Sequence, residues 1–123
     1  MPESPALLGR LGGPDVIERV ARRLQQKTQA DPRLTPFFAG VPNERRAAMH
    51  VGMLTQLLGP QVDPSALRER HARLVERGLR DEHLDAVALH LDRTLAELGF
   101  GDVERTEARA LAETFREQVL GRG

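Results

Sequence analysis

The chain has 123 residues, enough for one domain with a modest core, and residues 1–123 are treated as that domain. Its 18 basic and 18 acidic side chains cancel, so no positive excess points to nucleic acid or to a membrane surface. Cysteine is absent, which excludes disulfides, thiolate metal sites and thiol catalysis. No apolar run could span a bilayer and the first ten residues lack a signal-peptide core, so we expect a soluble cytoplasmic protein.

Apolar residues recur at helical spacing from the N-terminal region onward, and no segment alternates as a β-strand does. The segment Leu7–Leu11 predicts a short opening turn, and the two glycines at 12 and 13 predict a hinge after it. Proline is tolerated in the first turn of a helix, so Pro14 predicts the start of a helix that ends near Ala30.

The segment from Asp31 to Gly40 predicts a tight corner between two helices. Its two prolines break helices, because proline lacks the backbone N–H that a helix interior needs. Phe37 and Phe38 are adjacent, so the two rings must point in different directions.

Beyond the corner, apolar periodicity predicts four more helices, each bounded by a glycine, a proline or a capping residue. Their boundaries are Asn43 (N-cap) to Leu58, Pro64 to Gly78 after the loop Gln61-Val62-Asp63, Asp81 (N-cap) to Leu98, and Asp102 to Leu120 with Val103 facing inward. The expected fold class is therefore all-α, with one layer of helices packed on another.

One histidine interrupts an apolar helical stripe. His71 follows Leu67 by four residues and precedes Leu74 by three, so all three side chains share one helix face. A histidine in such a position is either a buried, hydrogen-bonded core residue or a ligand to something held in the core. The pattern of residues leaves both interpretations open.

Several segments, taken in chain order, resemble the truncated globins of bacteria, protozoa and algae, and group I of that family in particular. The segments are Leu8–Gly13, Ala30–Val41, Leu54–Gln56 followed by His71–Leu74, and Glu82–Val87. The resemblance covers nearly the whole chain. It implies a two-over-two helical sandwich around haem (iron protoporphyrin IX).

The resemblance assigns His71 as the proximal ligand of the haem iron, a normal role for neutral imidazole. The second ring nitrogen of such a ligand needs an acceptor, and our hypothesis is the carbonyl of Leu67. Phe38 matches the ring that packs on the porphyrin, and Phe37 is its neighbour in the pocket wall. The apolar lining, each member of which is also an ordinary core residue, is expected to be Leu54, Leu67, Leu74, Leu84, Val87 and Leu91.

Haem propionates are carboxylates and require cations. The candidate arginines are Arg46, Arg68, Arg70, Arg73 and Arg77. The sequence does not choose among them.

The distal side departs from the family pattern, which usually includes a tyrosine that donates a hydrogen bond to bound oxygen. This chain contains no tyrosine, and Gln25 occupies the matching position, where its amide either donates or points to solvent. On the distal helix the polar positions of the family fall on Arg46, Met49 and His50. His50 either donates to bound dioxygen, binds iron as a sixth ligand or lies at the pocket rim; Met49 is a weaker candidate for that ligand. Arg46 either faces the iron or pairs with a propionate.

His83 and His90 lie two helical turns apart, but no carboxylate pair or His-Glu motif supports a zinc site. Hydrogen bonding is the expectation for both side chains.

The leading functional hypothesis is a haem protein that binds dioxygen, nitric oxide or carbon monoxide reversibly. Oxidation of nitric oxide, supported by a reductase, and weak peroxidase activity are the enzymatic extensions of the same site. The alternative is a globin-fold sensor or interaction module that uses haem as a signal input or has lost it.

Overall fold

The computed structural model describes residues 6–60 and 63–122, and the regular structure in these ranges is entirely helical. The elements are α1 (Leu7–Leu11), α2 (Pro14–Ala30), a 3-10 turn (Thr35–Phe38), α3 (Asn43–Leu58), α4 (Pro64–Glu76), α5 (Asp81–Glu97), α6 (Asp102–Thr114) and α7 (Arg116–Val119). The predicted all-α class is confirmed. The predicted loop at Gln61 and Val62 lies outside the described residues. No helix of the described chain is long and apolar enough to cross a membrane.

Two layers of paired helices surround the main core. Helices α2 and α3 pack together in one layer, α5 and α6 in the other, and the layers meet where α2 contacts α5 and α3 contacts α6. Helix α4 packs on α7 beside these layers. Leucines dominate the largest fully buried side chains of the core, as expected for a chain with few aromatic residues.

The predicted hinge between α1 and α2 is present. Gly12 and Gly13 have φ of 124° and 80°, a region that L-residues rarely adopt, and Pro14 is the first residue of α2. A Cβ on Gly12 would also lie 2.5 Å from Cγ2 of Val16. This tight reversal lets α1 lie against α2, α3 and α6.

The corner between α2 and α3 separates its two phenylalanine rings, as predicted. Phe37 is buried in a small apolar cluster with Leu79 and Leu120. Phe38 instead stacks on the ring of His50, with ring centroids 5.4 Å apart and planes at 29°. The corner therefore places the ring of Phe37 in the small apolar cluster and the ring of Phe38 in the space between α3 and α4.

Two predicted helix caps are corrected by the structure. Asn43 and Asp81 are the first residues of α3 and α5, and neither is the N-cap. Both stand in a first turn, where the exposed N–H groups of the helix favour acidic and amide side chains. The N-cap of α5 is Arg80, whose backbone N–H donates to Nδ1 of His83.

Helix α4 has a cap that the sequence assigned to a loop. Asp63 is its N-cap and its carboxylate accepts hydrogen bonds from the backbone N–H groups of Ser65 and Ala66, at 3.0 and 3.4 Å. Pro64 follows at the first helical position. These contacts fix the start of the short helix that carries His71.

The predicted C-terminal helix is divided in two. Helix α6 ends at Thr114, and α7 begins after Phe115. Val103, predicted to face inward, is 69% exposed. The buried face of α6 is centred on Ala108, and five residues along a helix correspond to a rotation of about 140°, which carries Val103 to the opposite side.

Candidate functional site

His71 presents one free ring nitrogen in a buried position. Its Nδ1 lies 2.8 Å from the backbone carbonyl oxygen of Leu67, the acceptor predicted for it. Because a carbonyl can only accept, the proton of the neutral ring is on Nδ1, and Nε2 carries an electron pair. That Nε2 has no hydrogen-bond partner within residues 6–60 and 63–122. The residue as a whole is buried, with 8% of its surface exposed.

The electrostatics of His71 favour this neutral form. Burial lowers the pKa of His71, the hydrogen bond to Leu67 opposes that shift, and the positive charge of Arg70 lowers the pKa further. A neutral imidazole with one nitrogen held and the other free is the form that ligates metals.

Two cavities adjoin at this histidine. The first has an empty volume of about 390 Å³ and is lined by Phe38, Met49, His50, Met53, Arg70, His71 and Leu74. The second has about 540 Å³ and is lined by Met53, Leu57, Leu67, His71, Leu84, Val87, Ala88, Leu91, Ala112 and Val119. His71 and Met53 line both cavities.

His50 faces the first cavity from α3, and each of its ring nitrogens lies near a polar atom. Nδ1 lies 2.7 Å from the carbonyl oxygen of Arg46, and Nε2 lies 3.3 Å from the hydroxyl oxygen of Thr28. The Thr28 hydroxyl also donates to the carbonyl oxygen of Gln25 at 3.0 Å, so its one hydrogen is shared between that carbonyl and Nε2. Burial lowers the pKa of His50, and the hydrogen bond to Arg46 opposes the shift. The neutral ring therefore holds its proton on Nδ1, and no N–H of His50 remains to donate into the cavity.

One cation lines the first cavity. The exposed side chain of Arg70 on α4 extends over α3 at Gly52, where a Cβ would collide with the guanidinium. Glycine at position 52 thus leaves room for the arginine to cross between the two helices. The result is an apolar site with a positive charge at its rim.

The model of the bacterial-like globin family matches residues 6–120 of the chain. The group 1 truncated hemoglobin GlbN of Synechocystis sp. is 34% identical over 109 residues, which are 86% of this chain and 88% of that protein. This chain belongs to the group 1 truncated globins. The group 1 truncated hemoglobin of Tetrahymena thermophila is 29% identical over 124 residues, which cover 99% of this chain and 100% of that protein.

Solved structures agree with the fold described above. The 2/2 hemoglobin from Synechococcus sp., in the cyanomet state and with covalently attached heme, superposes with a TM-score of 0.82 at 28% identity. That comparison covers 95% of this chain and 99% of the other. THB1 of Chlamydomonas reinhardtii gives a TM-score of 0.73 at 31% identity and covers 98% and 100% of the two chains. The predicted two-over-two sandwich is confirmed.

In this truncated globin, neither Gln25 nor Arg46 lines either cavity. The amide nitrogen of Gln25 donates to the carbonyl oxygen of Asn43 at 3.1 Å. The guanidinium of Arg46 donates to the carbonyl oxygens of Val41 and Phe38 at 2.8 and 2.7 Å. Arg46 thereby links α3 to the corner before it, and Gln25 links α2 to the first residue of α3. Gln25 and Arg46, predicted as distal donors, therefore bind backbone carbonyls of the corner and of the start of α3.

The other predicted lining residues divide among three places. Phe38, Met49 and Leu74 line the first cavity, whereas Leu67, Leu84, Val87 and Leu91 line the second. Leu54 lines neither cavity and is fully buried in the main core. Phe37 is also outside both, with its ring edge against His83 at a centroid distance of 4.8 Å.

The five arginines predicted as possible partners of the propionates lie in different places. Arg70 alone among them lines a cavity, whereas Arg46 is held by the corner and Arg77 reaches the carbonyl oxygen of Phe37 at 3.5 Å. Arg68 and Arg73 lie on α4 outside the lining of both cavities.

Thr28 and Met53 are two residues at the site that the predicted site residues did not include, although Met53 or Leu54 was expected on the inward face of α3. Thr28 continues the buried stripe of α2 at four-residue spacing after Val20 and Leu24, and it is 1% exposed. A hydroxyl on an apolar stripe was the available signal, because a buried hydroxyl requires a partner. Met53 stands one turn after Met49, so the same helix face carries both thioethers.

His83 and His90 form hydrogen bonds, as expected. His83 caps α5, and Nε2 of His90 lies 2.8 Å from the carboxylate of Asp31. Asp31 also binds the backbone and side chain of Arg33, and these contacts hold its pKa well below the usual range. This cluster ties the end of α2 to α5.

Proposed function

We infer that this truncated globin holds haem between α3 and α4, with Nε2 of His71 as the ligand to the iron, and binds a diatomic gas on the opposite side. The observation that carries the proposal is the state of His71: Nδ1–H is fixed on the Leu67 carbonyl, and a free Nε2 stands where two cavities meet. Relatives that carry the name hemoglobin, one of them with covalently attached heme, support it.

The lining of the two cavities suits the parts of a haem. The second cavity is almost wholly apolar and fits the hydrocarbon part of a porphyrin. Arg70 supplies the positive charge that the propionate carboxylates require at an exposed rim. When bound, haem supplies an iron centre that takes a gas molecule as ligand.

The distal side determines which gas is favoured. A polarised dioxygen ligand would gain about 1–3 kcal/mol from a hydrogen-bond donor of this chain, so its escape would be about tenfold faster or more without one. Neutral His50 offers no free N–H, and Phe38, Met49, Met53 and Leu74 offer none. The guanidinium of Arg70 lies at the exposed rim, where we assign it to the propionates. The cavity therefore favours carbon monoxide and nitric oxide, which depend less on such a donor, over long retention of dioxygen.

The enzymatic extension, oxidation of nitric oxide by dioxygen with a reductase partner, uses the same cavity. Among the described lining residues only Arg70, at the exposed rim, has N–H groups left to donate, and we assign it to the propionates. This weighs against that turnover, because it depends on retained dioxygen. Reversible gas binding is the proposed function.

The decisive experiment is reconstitution with haemin followed by absorption spectroscopy of the wild type and of His71→Gly. We expect one haem per wild-type chain, loss of the axial-imidazole spectrum in His71→Gly, and its recovery when free imidazole fills the vacated space. His90→Gln is the matched control, because His90 lies outside both cavities.

Two outcomes contradict the proposal. A His71→Gly protein that keeps the wild-type spectrum without imidazole would exclude His71 as the ligand. A wild type that takes up no haemin would favour the alternative of a globin-fold interaction module without haem.

A further inference from the structure

We propose that three arginines on one side of α4 form a docking surface for an acidic one-electron carrier protein that keeps the haem iron ferrous. Arg70, Arg73 and Arg77 make up this surface and are called the α4 arginine row below. The proposal rests on the proposed function, because it names a protein partner of the same haem site. The distribution of charges and of ion pairs over the molecule supports it.

The net charge of zero conceals a separation of charge along the chain. Residues 43–80, which contain α3 and α4, carry seven arginines and four acidic residues, a net charge of +3 with histidine neutral. Residues 81–123, which contain α5, α6 and α7, carry ten acidic residues and five arginines, a net charge of −5. The segment that carries His71 is therefore positive, although the whole chain is neutral.

Ion pairing also differs between these two segments. Four of the five arginines between residues 81 and 122 pair with carboxylates, for example Arg116 with Asp85 at 2.6 Å. No member of the α4 arginine row forms an ion pair with any residue in 6–60 or 63–122. Glu69 lies four residues before Arg73, the arrangement that favours a helical ion pair, and even these two do not pair. The positive charge of the row is thus not neutralised within the described chain.

The row follows the side of α4 that borders the first cavity. Because a helix turns by about 100° per residue, positions 70, 73 and 77 fall within an arc of about 60° and span about 10 Å. Arg70 lines the cavity, Arg77 lies 3.5 Å from the carbonyl oxygen of Phe37 in the corner, and all three arginines are exposed. Since α4 also carries His71, a protein docked on the row lies about one helix diameter, roughly 10 Å, from the iron ligand.

This position suits the delivery of electrons. Carbon monoxide and dioxygen bind ferrous iron, so iron that has been oxidised to the ferric state must regain one electron before it binds them again. In that step the carrier loses one electron and the iron gains it, and no bond is made or broken. Acidic residues around the redox centre of the carrier are attracted to the row, because complementary charges raise the association rate of short-lived complexes.

An anionic membrane is the less suitable partner. Attachment to anionic lipid takes clusters of about 4–8 basic residues, or apolar side chains that insert beside the basic ones. The row has three arginines, and the exposed large apolar side chains of the described residues, Leu89 and Val103, lie on α5 and α6 instead. A small acidic protein surface matches the charge and the length of the row.

The experiment measures reduction of the ferric, haem-reconstituted protein by a reduced plant-type ferredoxin, which is an acidic one-electron carrier, with carbon monoxide present to trap the ferrous product. Arg73→Glu should lower the second-order rate constant about tenfold at low ionic strength, which is within the range of electrostatic steering. Arg19→Glu is the matched control, because Arg19 is also exposed and forms no ion pair among the described residues, but lies on α2. Its rate constant should stay within about twofold of wild type.

Salt tests the same contact without a variant. Raising the ionic strength from about 0.01 M to about 1 M shortens the Debye length from roughly 30 Å to roughly 3 Å. The wild-type rate with ferredoxin should therefore fall, and the difference between wild type and Arg73→Glu should disappear.

Two further measurements separate docking from a change in the haem itself. Reduced methyl viologen, a small cationic reductant, should reduce Arg73→Glu no more slowly than wild type, because the variant removes a charge that repels it. In calorimetric titrations, oxidised ferredoxin should bind Arg73→Glu about tenfold more weakly than wild type, a result that requires no electron transfer. Arg73 lines neither cavity, so the carbon monoxide spectrum of the variant should be that of wild type.

Equal rates for wild type and Arg73→Glu with ferredoxin, or equal slowing in Arg19→Glu, would overturn the docking surface while leaving haem and gas binding intact. Binding of wild type but not Arg73→Glu to phosphatidylserine vesicles, with no effect on ferredoxin, would overturn it in favour of a membrane. Failure of the protein to take up haemin is a different result, because it removes the proposed function together with the site that the carrier serves.

Discussion

The two histidines that line the first cavity make the same backbone hydrogen bond through Nδ1 but differ in the surroundings of Nε2. His71 on α4 and His50 on α3 each direct Nδ1 to the carbonyl oxygen four residues earlier, at 2.8 and 2.7 Å. Nε2 of His71 then meets no partner among the described residues, whereas Nε2 of His50 meets Thr28 at 3.3 Å. The backbone sets the proton on the ring, and a residue from another helix determines whether the other nitrogen is free to ligate.

The largest expected effect comes from removing each imidazole in turn. His71→Gln should release haem to a scavenging apoprotein about 100-fold faster than wild type, because the iron loses its protein ligand, whereas His50→Gln should change release less than about threefold. The measurement is the rate of haem transfer. Equal acceleration of haem release in both variants would mean that His71 and His50 do not differ in their contact with the haem.

Thr28→Val tests whether the hydroxyl is what engages His50. Losing that partner should lower the free energy of unfolding by about 1–2 kcal/mol and add a second-imidazole component to the haem spectrum. Thr94→Val is the matched control, because Thr94 is equally buried and its hydroxyl, like that of Thr28, donates to a carbonyl of its own helix, whereas the Thr28 hydroxyl also lies 3.3 Å from Nε2 of His50. A new imidazole component in both variants, or in neither, would contradict the assigned role of Thr28.

Arg70→Gln tests the charge at the rim of the site. We expect haem release to accelerate about fivefold, the effect of an exposed ion pair of about 1 kcal/mol, and the difference to shrink in high salt. Arg73→Gln is the control on the same helix, outside both cavities. Acceleration that is equal in the two variants, or independent of salt, would exclude a specific contact of Arg70 with the propionates.

Acidification should weaken the haem-free fold through both histidines. Burial lowers the pKa of His50 and of His71 below the ordinary value of 6.5, so the unfolded chain binds protons that the folded chain does not. Their contribution to stability is therefore present above about pH 6.5 and is lost as the pH falls through the folded pKa values. Urea unfolding from about pH 8 to about pH 5 measures the slope, which should be shallower in His50→Gln.

The smallest expected effect is at Gln25. Because its amide binds the carbonyl oxygen of Asn43 and lies outside both cavities, Gln25→Leu should leave the dissociation rate of dioxygen within about twofold of wild type. Stopped-flow dissociation decides this. A marked acceleration would mean that Gln25 turns toward the ligand once haem is bound.

Local features of the structure were predictable wherever neighbours along the chain decide them. The glycine hinge, the extent of α2, the divergence of Phe37 and Phe38 and the hydrogen bond from His71 to Leu67 all depend on residues within a few positions of each other. The break at Phe115 and the exposure of Val103 were not predicted, because the packing of the last helices on distant elements decides them.

By itself, the sequence determined an all-helical chain, the order and approximate limits of its helices, and a histidine whose Nδ1 is held by its own helix. These follow from periodicity, capping and hydrogen bonds of four-residue span. Only the tertiary structure decided that Thr28 engages His50, that Gln25 and Arg46 bind the backbone around the corner, and that Met49 stays outside both apolar clusters. Such assignments depend on which helix approaches which carbonyl or ring, and the periodicity of a single helix does not specify its neighbours.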